Sequence, residues 1–300
     1  VSLLPAATEI AIAIGAEAAL VGVSHLCPQP PGANLPRVMR SPIESERWSM
    51  AEIDRFVREA GNKGLSLYSL DDARISELQP TVVLSQGLCP VCAATPATIE
   101  RDLAATTRAC AKLLVLSPHS LADVAENIRE VGAALGRSAA ATIAARAFER
   151  SIAAVRAAPA STPRPKVVVL EWFDPLWVSG EWVAEMVEVA GGEPCCAGPK
   201  DGSVRIRWQD LVAADPEVVV LAACSMDVAR TTRELGALTG HPEWAALRAV
   251  REGRVYVVDG EHHFSTPGPG LATGVQVLRA LLSGHGRDAL PKGSWRAVAK

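Results

Sequence analysis

Two thiols, Cys89 and Cys92, stand three residues apart in Gln86-Gly87-Leu88-Cys89-Pro90-Val91-Cys92-Ala93, directly after the apolar run Thr81-Val82-Val83-Leu84. Three kinds of chemistry suit such a pair. C-x-x-C is a common half-site for zinc or an iron–sulfur cluster. Its other half would have to come from Cys27, Cys224 and His25, since the chain holds no second C-x-x-C. The pair also has the form of a redox dithiol. Thr95-Pro96 opens a helical stretch over 97–110, and a helix N-terminus there would lower a thiol pKa. The third reading is that both thiols stay reduced and line a turn. The residues alone leave these readings open. Cys110, in an apolar helical context, reads as a small core residue.

The aromatic residues carry a second signal. They make up only 4% of the chain, yet Trp172, Phe173, Trp177 and Trp182 crowd into one short stretch. Phe173 and Trp182 suit a core. Trp172 and Trp177 flank Asp174-Pro175, a turn-former, and aromatics on a loop offer flat apolar area to a planar ligand at little entropic cost. Adjacent His262 and His263 follow an apolar run and precede Phe264-Ser265-Thr266-Pro267-Gly268-Pro269-Gly270. Imidazole is a good axial ligand for cobalt or iron, and His25 offers the same chemistry. His119, His241 and His285 read as surface residues. The chain lacks a P-loop, a strand-borne G-x-G-x-x-G, an H-E-x-x-H and a G-x-S-x-G, so it carries no signature of an NTPase, dehydrogenase, zincin or serine hydrolase. No acid/base pair can be placed, and no catalytic residue is assigned.

The elements that must hold these residues form two sets. Short β-branched runs at Val1–Leu4, Leu20–Ser24, Thr81–Ser85 and Leu113–Ser117 alternate with helical stretches, and so do runs at Lys166–Glu171, Glu217–Ala222 and Arg254–Asp259. That alternation predicts an α/β fold with mainly parallel strands. Between the sets, Leu121, Val124, Ile128, Val131 and Leu135 recur at helical spacing, and an Ala-rich helical stretch follows over Ala139–Ala157. Ala158–Pro165, with three prolines, ends it. The expected organisation is an N-terminal lobe over 1–120, a bridging helix and Pro-rich linker over 121–165, and a C-terminal lobe over 166–300. The helical stretch Leu271–Leu282 is expected to pack on the second lobe. In such sheets ligand groups gather where strands end, and nearly every residue singled out above follows a predicted strand. Two lobes with such loops suit a shared cleft.

With 300 residues, 49% hydrophobic, the chain can build such cores. A net charge of −3 gives no electrostatic reason for a nucleic-acid partner. No apolar run reaches the ~18 residues of a membrane-spanning helix. Seven cysteines, an odd number, leave at least one outside any internal disulfide. No leader precedes Val1, but the chain does not open on an initiator methionine, so this says little about location.

Val1–Pro31, Gln86–Ala93, Leu170–Glu193, Ala213–Cys224 and Arg251–Gly270 together resemble, in order and across nearly the whole chain, the cobalamin-binding branch of the solute-binding proteins of ABC importers. The opening S-L-x-P-[AS]-x-T-E marks the wider superfamily. The tryptophan segment and G-L-C-x-V-C-A are narrower markers. The resemblance implies two Rossmann-like lobes joined by a single long helix, with the ligand clamped in a cleft between the lobes. It implies a non-catalytic monomer that binds cobalamin or a related corrinoid, requires no cofactor, and delivers its ligand to an ABC permease–ATPase complex. Heme or an iron–siderophore is the alternative ligand. Siderophore sites usually use Arg or Tyr, and Tyr68 and Tyr256 are the chain's only tyrosines, which favours a corrinoid. A metal- or thiol-dependent enzyme or sensor using Cys27, Cys89, Cys92, Cys224 and His25 is the alternative of another class.

Carried over by position, the implied cleft residues are Pro5, Ala6, His25, Cys27, Gln86, Gly87, Leu88, Cys89, Cys92, Trp172, Phe173, Asp174, Trp177, Cys224, His262, His263 and Phe264. Family members dock on the permease through one glutamate per lobe. The matching positions here are Ala73 and Gln209, and Asp72 and Asp210 beside them are the expected substitutes, with shorter reach. The resemblance implies an extracytoplasmic location, whereas the thiols and the absent leader suit the cytoplasm.

Overall fold

A computed structural model of the chain describes residues 1–87, 111–159 and 163–298. The chain divides into two compact units, Val1–Trp48 with Arg55–Pro118 and Ala122–Phe148, and Ser49–Asp54 with His119–Leu121 and Glu149–Lys300. Each is a sheet with helices, as the alternation of β-branched and helical runs predicts.

In the first unit Val1–Leu4 is too short for a full ladder, because Pro5 pre-sets the helical φ and opens α1 (Pro5–Ala13). Ser2 nevertheless pairs in parallel with Val23 on one side and Leu84 on the other. The Ser2 N–H donates to the Gly22 carbonyl and the Leu3 N–H to that of Leu84. Ser2 thus stitches together two sets of strands. On one side lie β1 (Val23–Ser24), β2 (Arg37–Arg40) and β3 (Ser69–Leu70), on the other the parallel pair β4 (Val82–Gln86) and β5 (Lys112–Leu116). Val1, Leu3, Val38, Met39, Ile75 and Val83 pack into one cluster around the bridge. Each such side chain contributes roughly 1.5–3 kcal/mol on burial. Two further helices of the chain are α2 (Met50–Asn62) and α3 (Asp72–Leu78).

The helical segment between the two sets of strands is not one rod. It is α4 (Leu121–Ala134) and α5 (Ser138–Ala157), broken at Gly136, whose φ of 67° belongs to the left-handed region that glycine enters freely. The 20-residue α5 spans about 30 Å. The division between the two units falls within it, after Phe148.

The second unit is built on β6 (Lys166–Phe173). It continues through β7 (Leu176–Val178), α6 (Glu181–Ala190), β8 (Glu193–Pro194), β9 (Val204–Arg205), α7 (Trp208–Ala214), β10 (Val218–Leu221), α8 (Val228–Arg233), β11 (Val255–Val258), α9 (Leu271–Ser283) and β12 (Trp295–Ala297). The sheet order is β12-β11-β10-β6-β7-β9, and β8 also pairs with the start of β6. β11, β10, β6 and β8 run parallel. Val167–Leu170, Val218–Leu221 and Val255–Val258 are all buried, the continuous apolar pattern of strands covered on both faces. Val183, Met186 and Val187 of α6 are buried, as are Val275, Leu278 and Leu281 of α9, and the two helices pack together.

Both units share one plan. The first parallel strand lies between the second and third, so strand order reverses on either side of it. That reversal opens a crevice at the carboxyl ends of the first and third strands, where open α/β sheets place ligands.

Candidate functional site

In the first unit the crevice position falls between Leu4-Pro5 and Gln86-Gly87, with the turn after β1 alongside. Pro5, His25 and Gln86 are half-buried and Gly87 is exposed. Ala6 is buried in the first turn of α1. His25 sits 5.9 Å from the Tyr68 ring, centroid to centroid. Burial pulls the His25 pKa down, hydrogen bonding to the Met39 backbone opposes this, and the Arg37 charge adds to the lowering. Arg37 itself donates to the carbonyls of Ser24 and Cys27, which fixes the turn that carries His25.

Cys27 points inward. It is 2% exposed, its Sγ lies 3.1 Å from Ser24 Oγ, and it donates to the Ser2 carbonyl at 3.6 Å. The thiol therefore ties the turn to the bridging residue of the sheet. Leu88, Cys89 and Cys92 lie outside the described residues, as does Cys110 with the helix expected over 97–110. Among the described residues no three His, Cys, Asp or Glu side chains gather as a metal-binding group.

The second unit holds the aromatic cluster. β6 and β7 form an antiparallel hairpin closed by Asp174-Pro175, which are joined by a cis peptide bond. Its register pairs Trp172 with Trp177 and Phe173 with Leu176. Directly opposed residues share a face of the ribbon and successive residues alternate. Phe173 and Leu176 accordingly fill the core, 2% and 3% exposed, while Trp172 and Trp177 stand half-buried on the other face. The Trp172 indole N–H is buried with no acceptor among the described residues. Asp174 at the turn is exposed. Arg205 of β9 lies directly across from Trp177.

Beside this hairpin, the Cys224 N–H donates to the Glu171 carbonyl at 3.0 Å, which sets the half-buried Cys224 next to the end of β6. The Glu171 carboxylate accepts a bond of 2.8 Å from Ser179 Oγ. Burial raises its pKa and the Glu181 charge adds to that, while hydrogen bonds from Ser203 and Ser179 offset part of it.

The histidine pair sits on one π-helical turn, Glu261–Ser265, after β11. His262 is exposed and His263 half-buried. The His262 Nδ1 lies 3.1 Å from both carboxylate oxygens of Asp259, and its backbone N–H reaches Oδ1 at 3.0 Å. Burial pushes the Asp259 carboxyl upward, but the bonds from His262 outweigh this and hold it below its usual value. His263 is lowered, chiefly by burial, against the pull of Asp259. Phe264 is core, 1% exposed, and its carbonyl accepts from Trp182 Nε1 at 2.8 Å, which pins the turn to α6. The Pro-Gly-Pro-Gly run explains how α9 comes so close. A Cβ at Gly270 would stand 2.1 Å from the His262 carbonyl oxygen, and one at Gly274 2.1 Å from that of His263.

The candidate docking positions have structural duties. Asp72 and Ala73 are exposed on the first turn of α3, which Asp71 caps by accepting from the Arg74 N–H. Asp210 is bound within its own helix start. Its oxygens accept from the Arg207 backbone at 3.0 Å and from the guanidinium at 2.7 Å, and Arg207 holds its pKa down to about 2. Gln209 beside it is exposed. His119 and His285 are on the surface as expected, but His241 is half-buried, stacked 4.1 Å from the Trp208 ring.

Sequence reasoning missed Asp259, Tyr68 and Arg205. Asp259 had a readable signal, since it lies one helical turn before His262. Tyr68, just before β3, and Arg205, in β9, did not, because edge strands of two residues have no periodicity to read.

A comparison with curated proteins returned no match. Among solved structures the chain resembles the periplasmic vitamin B12 binding protein BtuF of Vibrio cholerae. That match has 20% identity, a TM-score of 0.66, and covers 94% of this chain and 95% of that one. The periplasmic heme-binding protein RhuT from Roseiflexus sp. RS-1 matches with 23% identity and a TM-score of 0.69, over 94% and 97% of the two chains. An ABC transporter substrate-binding protein from Listeria monocytogenes EGD-e matches with 19% identity and a TM-score of 0.71, over 95% and 98%. These likenesses agree with the two α/β lobes described above. The sequence model of the periplasmic binding protein family matches residues 1–261, most of the chain, and the protein therefore belongs to that family.

Proposed function

We propose that the protein is a non-catalytic binding protein that holds cobalamin or a related corrinoid with the strand-end surfaces of its lobes and passes it to an ABC importer. The observation that carries this reading is the cross-strand pair Trp172–Trp177, which sets two indoles on one face of the β6–β7 hairpin, together with the composition of the strand-end segments. Pro5–Glu9, His25–Gln29, Gln86–Ala93, Glu171–Pro175, Cys224–Asp227 and Glu261–Ser265 contain no lysine or arginine. A corrin ring is broad, apolar on its faces and fringed by neutral amides, so it needs aromatic area and hydrogen-bonding groups rather than cations. The orphan Trp172 N–H is a ready donor for an amide carbonyl, and leaving it unpaired costs about 1–3 kcal/mol. Delivery to a permease would use Asp72 and Asp210, the carboxylates beside the exposed Ala73 and Gln209.

A second reading, heme, rests on two specific observations. The Asp259–His262 pair has the geometry that orients an imidazole for metal ligation. Arg205, opposite Trp177, offers a propionate partner. Titration with cyanocobalamin and with hemin, read by tryptophan quenching and by the hemin Soret band, decides between them. Micromolar quenching by cobalamin that Trp177→Ala abolishes and Arg205→Ala leaves intact supports the corrinoid. Tight hemin binding weakened by Arg205→Ala or His262→Ala, with no cobalamin response, overturns it.

A further inference from the structure

Cys195 and Cys196 are adjacent, free and half-buried, and no role assigned above uses them. Cys195 continues the β8 ladder, its N–H donating to the Val167 carbonyl at 3.0 Å. In a continued strand the next side chain would point to the opposite face. It does not, because Cys196 adopts φ 72°, the left-handed region. The turn folds the second thiol back onto the first, close enough for a hydrogen bond between the two sulfurs. Left-handed backbone at a non-glycine residue costs about 1–2 kcal/mol, so the chain keeps a thiol where glycine would be the easier residue.

We propose that Cys195 and Cys196 form a chelating dithiol site for a thiophilic arsenic(III) centre, in which both sulfurs bond to one atom. Geometry favours a bridging atom over a direct disulfide. Consecutive Cα atoms are about 3.8 Å apart, below the roughly 4.4–6.8 Å that disulfides span. A large soft atom between the sulfurs relieves that mismatch. The chemistry balances without an oxidant. An organoarsenic(III) oxide takes two thiols, two S–H bonds break, two As–S bonds form, and the oxygen leaves with both protons as water. The pair is primed for the first step. The hydrogen bond from Cys195 lowers the Cys196 pKa against burial and the Asp210 charge, while Cys195 itself is pushed up by that bond and by burial.

The test uses phenylarsine oxide on the reduced full-length chain, with bound arsenic counted by mass spectrometry of the intact protein. Because Cys89 and Cys92 are a second dithiol candidate, Cys195→Ser and Cys196→Gly are each compared with their parent in both the native and the Cys89→Ser/Cys92→Ser backgrounds. Glycine suits the backbone at 196, so this variant keeps its fold even where serine does not. The expected result is the loss of one equivalent of arsenical in each comparison, with the parent adduct mapping to the peptide containing Cys195-Cys196. The parent adduct should resist a monothiol and release to a dithiol. Unchanged stoichiometry in Cys196→Gly, or a parent adduct that a monothiol strips, overturns the proposal.

Discussion

Gly270→Ala is a clean probe of how the histidine turn is held. Gly270 has φ −60° and ψ −25°, a backbone that alanine adopts without strain. On backbone grounds alone the substitution should stabilise the protein by about 0.4–1 kcal/mol, by restricting the unfolded chain. The structure predicts the opposite. The new methyl would stand 2.1 Å from the His262 carbonyl oxygen, 3.2 Å from its carbonyl carbon and 3.5 Å from His263 Nδ1. Two of these are backbone atoms and cannot swing aside. Non-bonded carbon contacts settle near 3.5 Å, so α9 and the π-helical turn must part by about 1 Å or more. Overpacking of this kind costs about 1–3 kcal/mol. At roughly 2–4 °C per kcal/mol for a chain of this size, the melting temperature should fall by about 5 °C. The assay is thermal unfolding by circular dichroism, alongside ligand titration and the imidazole NMR signals of His262 and His263. Gly61→Ala in α2 is the control, because nothing lies within 4 Å of its Cβ position, and it should hold or raise stability. A Gly270→Ala protein that melts at or above the native temperature with unmoved histidine signals would refute the packing account.

His25 and His263 both have folded-state pKa values lowered by burial. The unfolded chain therefore takes up protons first as pH falls. Stability should be full above about pH 7 and decline from about pH 6.5 downward, and His263→Gln should flatten part of that decline in melts taken across pH. Glu171 carries the reverse sign, since its raised pKa makes ionisation unfavourable in the folded state at neutral pH. Glu171→Gln should gain stability relative to the native protein at pH 7, with the gap closing as pH falls toward 4; a gap that widens in acid would contradict this. The Arg230–Glu234 pair is only 7% and 12% exposed, and Glu234 also accepts from the Met50 N–H at 3.2 Å. Glu234→Ala should cost about 3–5 kcal/mol by denaturant unfolding, because it removes one partner of a buried ion pair.

The parallel strands were legible because their cores read as continuous Val, Leu and Ile, α4 because its apolar residues recur at helical spacing from Leu121, and α5 because it is rich in alanine. The short strands β2, β3, β7, β8, β9 and β12 were not legible. At two to four residues each they carry too little pattern to separate from loop. That is why the hairpin pairing of Trp172 with Trp177 was invisible, although both residues had been singled out by their turn. Residue type alone also does not separate outward from core side chains. Cys27, Phe173 and Phe264 follow strands as ligand residues do, but strand alternation and a local hydrogen bond turn them inward. The sequence names the residues at a strand end, and only register decides which of them face outward.

The same register bears on ligand choice. With Phe173 and Leu176 committed to the core, the opposite face of the hairpin is fixed, and both indoles must lie on it together with the side chain of Arg205 across the ladder. Exchanging Trp177 for alanine therefore removes aromatic area from the outward face without touching the core, whereas exchanging Phe173 should cost roughly 3–5 kcal/mol of stability. Arg205 is where the two candidate macrocycles part company. A propionate gains a charge-assisted bond there, while a neutral amide gains about half as much. An Arg205→Gln protein keeps the hydrogen-bonding function and loses the charge. It should bind a neutral corrinoid nearly as the native protein does, and lose most of any preference for an anionic ring. Equal loss of both ligands would mean that Arg205 acts by packing on Trp177, and that charge at this face does not set specificity.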